Sequence, residues 1–194
     1  RKPDTILAAM GFCGGVWDQV RAQVRTVIPR VDDCVSLLLA TDDRYIPNRK
    51  ESGHLYLYED EPEKFSVLSL LKDYRKASKE FQGLDEETLF HMWFDQYYFL
   101  DIIDTGYNDC YELAYAEQAQ KNADMIHAAL DYVQGSNRIL EKLVSGEWDE
   151  QFLVAEPGHL IRHGIFSEWK RMFQPRDLAF LEGLVLFLCK MERC

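Results

Sequence analysis

The apolar run TILAAMGF at residues 5–12 leads directly into Cys13, Gly14 and Gly15, and this join limits the fold more than any other stretch of the sequence. The residues that follow, 16–28, carry valines at the spacing of one helix face. A strand, a glycine turn and a helix in this order predict an α/β domain. The backbone amides of such a turn can hold a phosphate group at the helix N-terminus, although glycines at this position commonly serve only the turn itself.

The rest of the chain predicts a change from strands to helices. Apolar or alternating segments predict further strands at 34–41 and 54–60, separated by a loop rich in turn residues. Residues 85–103 begin with acids and end in a dense aromatic run, which fits a helix throughout or a helix that gives way to a strand. Helical composition or periodicity marks three more segments: 62–81, 111–133 and 175–194. We therefore expect one α/β domain over 1–194, with a P-loop-like parallel sheet flanked by helices and a helix-rich C-terminal half.

The charge balance limits the partners of this chain. The sequence has 33 acidic and 22 basic residues and a net charge of -11, which argues against a broad basic face for nucleic acid or anionic membranes. No apolar run reaches the ~18 residues of a membrane span, and the N-terminus lacks the cleavage site of a signal peptide. The five cysteines have neither paired nor zinc-type spacing, as expected of reduced thiols. We expect a cytoplasmic protein in which any anion site is local.

One short stretch departs from the acidic character of the chain. Residues 160–176 contain four arginine or lysine residues and a single acid, Glu168. Such a local excess of positive charge favours a phosphate, sulfate or carboxylate ligand, and Gly164 would let backbone amides approach that ligand closely. The solvated basic face of an ordinary amphipathic helix explains the same composition.

Together the two ends of the chain resemble the cytosolic sulfotransferases, which transfer a sulfuryl group from 3′-phosphoadenosine 5′-phosphosulfate (PAPS). The first segment, RKPDTILAAMGFCGGVWDQV, matches the opening stretch of that family at five positions: Asp4, Ala8, Gly14, Trp17 and Gln19. The second matches its C-terminal motif at five more: Arg162, Gly164, Trp169, Lys170 and Phe173. The sequence departs from the family in the phosphate loop, where Phe12 replaces the lysine and Cys13 the serine.

The resemblance implies roles for eight residues. His54 would be the base that takes the proton of the acceptor, although a lone histidine beside an apolar residue is often structural. The other seven would bind PAPS or its product adenosine 3′,5′-bisphosphate: Cys13, Gly14 and Gly15 at the 5′-phosphate, Trp17 and Tyr111 at the adenine, and Arg162 and Gly164 at the 3′-phosphate. The resemblance implies no metal. The implied partner is a small-molecule hydroxyl or amine acceptor, not nucleic acid or a membrane, and a homodimer is compatible with it.

Two other functions fit parts of the sequence. Phe12 removes the cation that would stabilise the leaving bisphosphate, and the loss of one such group costs on the order of 10²–10³ in rate. This favours a sulfotransferase-like nucleotide-binding or scaffold protein without turnover. Asp101 and Asp104 instead resemble the metal-binding acids of a nucleotide-sugar glycosyltransferase, which would need Mn²⁺ or Mg²⁺. Whether the protein is an enzyme therefore stays open, with PAPS-dependent transfer as the favoured hypothesis.

Overall fold

A computed structural model of the chain describes residues 3–58, 81 and 83–162. Three features discussed above lie outside these ranges: nearly all of the predicted helix at 62–81, the predicted helix at 175–194, and Gly164 with the rest of the basic stretch after Arg162. Within the described ranges, no helix has the length and apolar character that crossing a membrane requires.

The chain divides into two compact units, one of Arg1–Arg49 with Ser136–Cys194 and one of Lys50–Gly135. Each unit has its own three-stranded sheet. In chain order the described elements are β1 (Thr5–Leu7), a 3₁₀ helix (Cys13–Gly15), β2 (Arg25–Pro29), α1 (Cys34–Leu38), β3 (His54–Leu57), α2 (Glu86–Phe94), β4 (Phe99–Asp104), α3 (Leu113–Met125), β5 (Ala129–Gln134), α4 (Arg138–Ser145) and β6 (Phe152–Ala155).

The first unit is built on a mixed sheet with β2 in the middle. β1 runs parallel to β2, and β6 runs antiparallel along the other edge of β2. Successive side chains of a strand point to opposite faces of the sheet, so Val27 and Ile28, both fully buried, enter two different apolar clusters. The cluster around Val27 also contains Ile139 and Leu143, which lie four residues apart and therefore on one face of α4.

The second unit contains a parallel sheet in which β4 lies between β3 and β5. Leu100, Ile102 and Ile103 of β4 are fully buried, as expected for a central strand of a parallel sheet. Parallel neighbours need crossover connections; α3 lies on the connection from β4 to β5, and α2 precedes β4. The expectation of an α/β fold is thus confirmed in the form of two small sheets, one of them entirely parallel.

Two predicted elements near the N-terminus are wrong. Residues 16–28 contain no α-helix, because the glycine turn forms a 3₁₀ helix and the chain then turns into β2, whose apolar residues fill both faces of the sheet. The predicted strand at 34–41 is a helix, α1, over Cys34–Leu38. Here the buried carboxylate of Asp33 accepts a hydrogen bond of 2.7 Å from the backbone N–H of Ser36, which is a helix N-cap.

Three predictions in the second unit agree better with the structure. The strand predicted at 54–60 is confirmed as β3. The segment 85–103 is a helix followed by a strand, α2 and then β4, which was one of the two alternatives. The helix predicted at 111–133 is confirmed as α3 up to Met125, but its last residues form β5.

Candidate active site

His54 and Asp101 lie side by side on one face of the parallel sheet. The register places His54 opposite Phe99, and Asp101 opposite Tyr56. Since side chains alternate between faces along a strand, these four residues share one face. Nδ1 of His54 lies 2.7 Å from Oδ2 of Asp101. That is the distance of a short charge-assisted hydrogen bond, in which the ring N–H donates to the carboxylate.

The turn before β3 fixes where His54 begins the strand. Gly53 has a φ of 83°, in the left-handed region that favours glycine. Its carbonyl oxygen accepts hydrogen bonds from the N–H groups of Tyr98, at 2.8 Å, and Phe99, at 3.2 Å. These two bonds join the starts of β3 and β4. The side chains of His54 and Asp101 are therefore held on the same face by backbone pairing rather than by a flexible loop.

Asp101 is a carboxyl group held out of water. Its side chain is 7% exposed, and burial raises its pKa above the ordinary value of 3.8. The negative charges of Asp131 and Glu51 act in the same direction, whereas the hydrogen bond from His54 lowers this pKa. The second carboxylate oxygen, Oδ1, has no hydrogen-bond partner among the described residues. His54 therefore provides the stabilising contact that the structure gives this buried acid.

The other ring nitrogen of His54 lies on the more open side of the site. The imidazole is 21% exposed, and its Nε2 lies 3.9 Å from Oε2 of the exposed side chain of Glu51. The backbone N–H of Glu51 donates to the hydroxyl of Tyr56 at 2.9 Å, which anchors this residue beside the ring. On the sheet itself the imidazole stacks on Phe99, with ring centroids 4.5 Å apart. The ring orientation is thus fixed by a hydrogen bond and by an aromatic neighbour.

This arrangement sets the tautomer of the histidine. When Nδ1–H donates to a carboxylate, the neutral ring keeps its lone pair on Nε2, where it can accept a proton. The same geometry orients the histidine of a hydrolytic triad and of many metal sites. Among the described residues, no group of three or more histidine, cysteine, aspartate or glutamate side chains could hold a metal ion. With Nδ1 held by Asp101, the lone pair on Nε2 is suited to proton transfer.

A second histidine–aspartate pair shows what is particular to this one. His91 lies on α2 and Asp95 just after its end. Nδ1 of His91 lies 2.9 Å from Oδ1 of Asp95, but the two side chains are 58% and 63% exposed. The hydrogen bond to Asp95 raises the pKa of His91, as expected of an ion pair on the surface. This pair has the same chemical groups without the burial, and it provides a matched control for experiments on His54.

The other residues predicted to bind a cofactor are divided between the two units. Cys13, Gly14 and Gly15 form the 3₁₀ helix of the first unit, with Cys13 buried. In the same unit Trp17 donates from Nε1 to the carbonyl of Gly11 at 3.2 Å. The backbone of Ile161, next to exposed Arg162, pairs with Gln19 and Val20.

Tyr111 lies in the second unit. Its ring stacks on Tyr132 with centroids 5.0 Å apart, and its hydroxyl donates to Asp104 at 2.8 Å. The two residues predicted to line one adenine, Trp17 and Tyr111, thus belong to different units. Gly164 lies outside the described residues.

The partner of His54 was not predicted from the sequence. Asp101 is 47 positions from His54 along the chain. The sequence predicted only a metal-binding role for this acid. The signal that could have found it is a single acid inside the apolar run of a central strand, because a charged residue buried there needs a partner.

The fold and the site define a mixed α/β protein in which a histidine is paired with a buried aspartate on a parallel sheet. The chain belongs to the DUF1638 family, described as a protein of unknown function, whose model matches residues 1–144. The match includes His54, Asp101 and every other residue of the site. No curated protein and no solved structure matches the chain.

The resemblance to the cytosolic sulfotransferases is wrong, because the family model that matches is DUF1638 and no sulfotransferase family is found. The physical reason is visible in the first segment, where the identities assumed a helix after the glycine turn and the structure has none at 16–28. The cofactor and function that this resemblance implied stay predictions and lose their family support.

Proposed function

We propose that this protein is an enzyme in which His54 acts as a general base on a hydroxyl group or a water molecule. The observation that carries the proposal is the 2.7 Å hydrogen bond between Nδ1 of His54 and the buried carboxylate of Asp101. A buried carboxylate that holds one ring nitrogen makes the other a better base, because it stabilises the imidazolium that forms when the proton is taken.

In the proposed reaction, Nε2 of His54 accepts a proton from the attacking hydroxyl as the new bond forms. Asp101 keeps the ring in the reactive tautomer and balances its positive charge. Glu51 places a negative charge near the same nitrogen, with its Oε2 3.9 Å from Nε2. The imidazolium then returns the proton to the leaving group. General acid–base catalysis of this kind contributes roughly 10²–10⁴ in rate.

The proposal covers hydrolases and transferases whose nucleophile is water or a hydroxyl group, because both classes need the same proton removed. It does not involve a nucleophilic serine or cysteine of the chain. Nδ1 of His54 is bound to the carboxylate of Asp101, and Nε2, on the side of Glu51, is the nitrogen that would act on a substrate group. The exposed edge of Phe99, stacked beside the ring, is a suitable apolar wall for that substrate.

A first experiment tests the tautomer directly. Long-range ¹H–¹⁵N correlation spectra at neutral pH should show the proton of His54 on Nδ1 and an unprotonated Nε2. The Asp101→Asn variant should lose the low-field shift of the Nδ1 proton, because a neutral amide accepts a weaker hydrogen bond. A proton fixed on Nε2 in the parent protein would contradict the proposal.

A second experiment tests catalysis with panels of ester, phosphoester, glycoside and group-transfer substrates. Any turnover by this site should fall by at least 10²-fold in His54→Gln and substantially in Asp101→Asn. His91→Gln, which alters the exposed pair, should keep the parent rate. Turnover that survives in His54→Gln, or that is lost equally in His91→Gln, would assign the activity to another site.

A further inference from the structure

The first unit has a small recess lined by three arginines. The recess lies between the start of α4 and the loop that follows α1, and its lining contains no carboxylate among the described residues. Its polar lining consists of the side chains Arg30, Arg44, Tyr45, Arg49 and Gln151. Three guanidinium groups around one recess are unexpected in a chain of net charge -11. All of them lie in one compact unit.

Arg49 is the most buried of these cations, with its side chain 10% exposed. One of its terminal nitrogens donates to Oδ1 of Asp42 at 2.8 Å and to the carbonyl of Arg44 at 2.6 Å. Its Nε is buried and has no hydrogen-bond partner in the described part of the chain. A buried guanidinium with an unused donor costs free energy unless an acceptor is supplied.

Asp42 neutralises only part of the positive charge of Arg44 and Arg49. Its second oxygen, Oδ2, accepts two hydrogen bonds from Arg44, at 2.9 Å and 2.6 Å. The two arginines hold the pKa of Asp42 well below its usual range, so the carboxylate is ionised. Two guanidinium groups therefore share one negative charge. Arg30 also lines the recess; its Nε donates to the carbonyl of Phe152 at 3.1 Å, and its side chain hydrogen-bonds Tyr45, near the negative charge of Asp32.

We propose that this recess binds an oxyanion group, the phosphate or carboxylate of a small molecule. Guanidinium groups recognise both anions through paired N–H donors. The recess is small and partly open to solvent, so the anion would enter with one or two oxygens while the rest of the molecule stays outside. Burial raises the pKa of the Tyr45 phenol, which therefore remains neutral beside these cations, while the hydrogen bond from Arg30 lowers that pKa. The basic residues of the sequence had predicted a local anion site in this acidic chain at residues 160–176 instead.

The test uses titration calorimetry of the full chain with inorganic phosphate and, separately, with acetate. Ionic strength is held constant with chloride. The parent protein should bind one of the two anions at a single saturable site, and the anion that binds more tightly identifies the group. In Arg44→Gln the affinity should fall at least tenfold. This side chain is 75% exposed, so the variant should fold normally.

Two further variants separate binding from a structural role. Asp42→Asn removes the carboxylate that competes with the ligand and should raise the affinity. Arg25→Gln changes an exposed arginine of the same unit that pairs with Glu156 outside the recess, and it should leave the affinity unchanged. No saturable binding of either anion would overturn the proposal. So would equal affinity in the parent and Arg44→Gln, or weaker binding in Asp42→Asn.

Discussion

The replacement His54→Ala should destabilise this protein far more than the same change at His91. Removal of His54 takes away a hydrogen bond to a charged acceptor, worth about 1.5–3 kcal/mol. It also leaves the carboxylate of Asp101, 7% exposed, without that bond. Breaking a buried charged pair from one side costs about 3–5 kcal/mol. Because Asp101 can take up a proton, the cost is reduced, and we expect a loss of about 2–4 kcal/mol at pH 8.

The pH dependence of the stability of His54→Ala tests whether the buried charge of Asp101 causes the destabilisation. Burial already raises the pKa of Asp101, and loss of the hydrogen bond from His54 raises this pKa further. The folded variant then binds more protons than the unfolded chain between pH 3.8 and the raised pKa, so its stability falls as the pH rises through that window. The loss amounts to about 1.4 kcal/mol for each tenfold change in the acid dissociation constant.

The assay is urea unfolding followed by tryptophan fluorescence at several pH values from 4 to 9. The double variant His54→Ala/Asp101→Asn removes the charge and should match His54→Ala near pH 4 but be more stable at pH 8. His91→Ala, in the exposed pair, should lose less than about 1 kcal/mol. Equal losses of unfolding free energy in His54→Ala and His91→Ala would refute this account of the site. Equal stability of His54→Ala and the double variant at pH 8 would refute it as well.

Packing and backbone geometry lead to two further predictions. Leu143→Ala should lower the free energy of unfolding by about 2–5 kcal/mol, because Leu143 is almost fully buried and its loss leaves a cavity. Val144→Ala, at a side chain 74% exposed, should change it by less than about 0.5 kcal/mol in the same urea titration. Gly11→Ala should cost about 1–3 kcal/mol by thermal unfolding, since its Cβ would lie 2.6 Å from the backbone oxygen of Val31. A Cβ added at Gly83 would have no described atom within 4 Å, so Gly83→Ala should leave the stability almost unchanged. Equal falls in the melting temperatures of Gly11→Ala and Gly83→Ala would contradict the steric argument.

Local patterns predicted the elements of the second unit better than those of the first. The alternation in 54–60 has the period of a strand, and the structure confirms β3 there. The apolar run at 34–41 has no such period, and a run of that length fits a buried strand or a short helix equally well. Asp33 favours the helix, because its buried carboxylate caps the N-terminus of α1. An aspartate directly before an apolar run is a helix N-cap signal that the sequence already contains.

The candidate site could be predicted only in part. His54 was a candidate base because a histidine has the right pKa for proton transfer, and that role stays a prediction. Its partner could not be chosen from a chain with 33 acidic residues. The register of β3 on β4 selects Asp101, and sequence periodicity within one strand does not define register between two strands.

The sequence by itself determined the α/β class, the acidic character and the residue types that could do chemistry, because composition and periodicity are properties of short stretches. Tertiary structure alone decided that His54 meets Asp101, and that Arg30 and Gln151 line one recess with Arg44 and Arg49. Contacts between distant residues depend on strand pairing and chain reversal. The burial that gives these charged groups their properties arises only when the separate segments pack together.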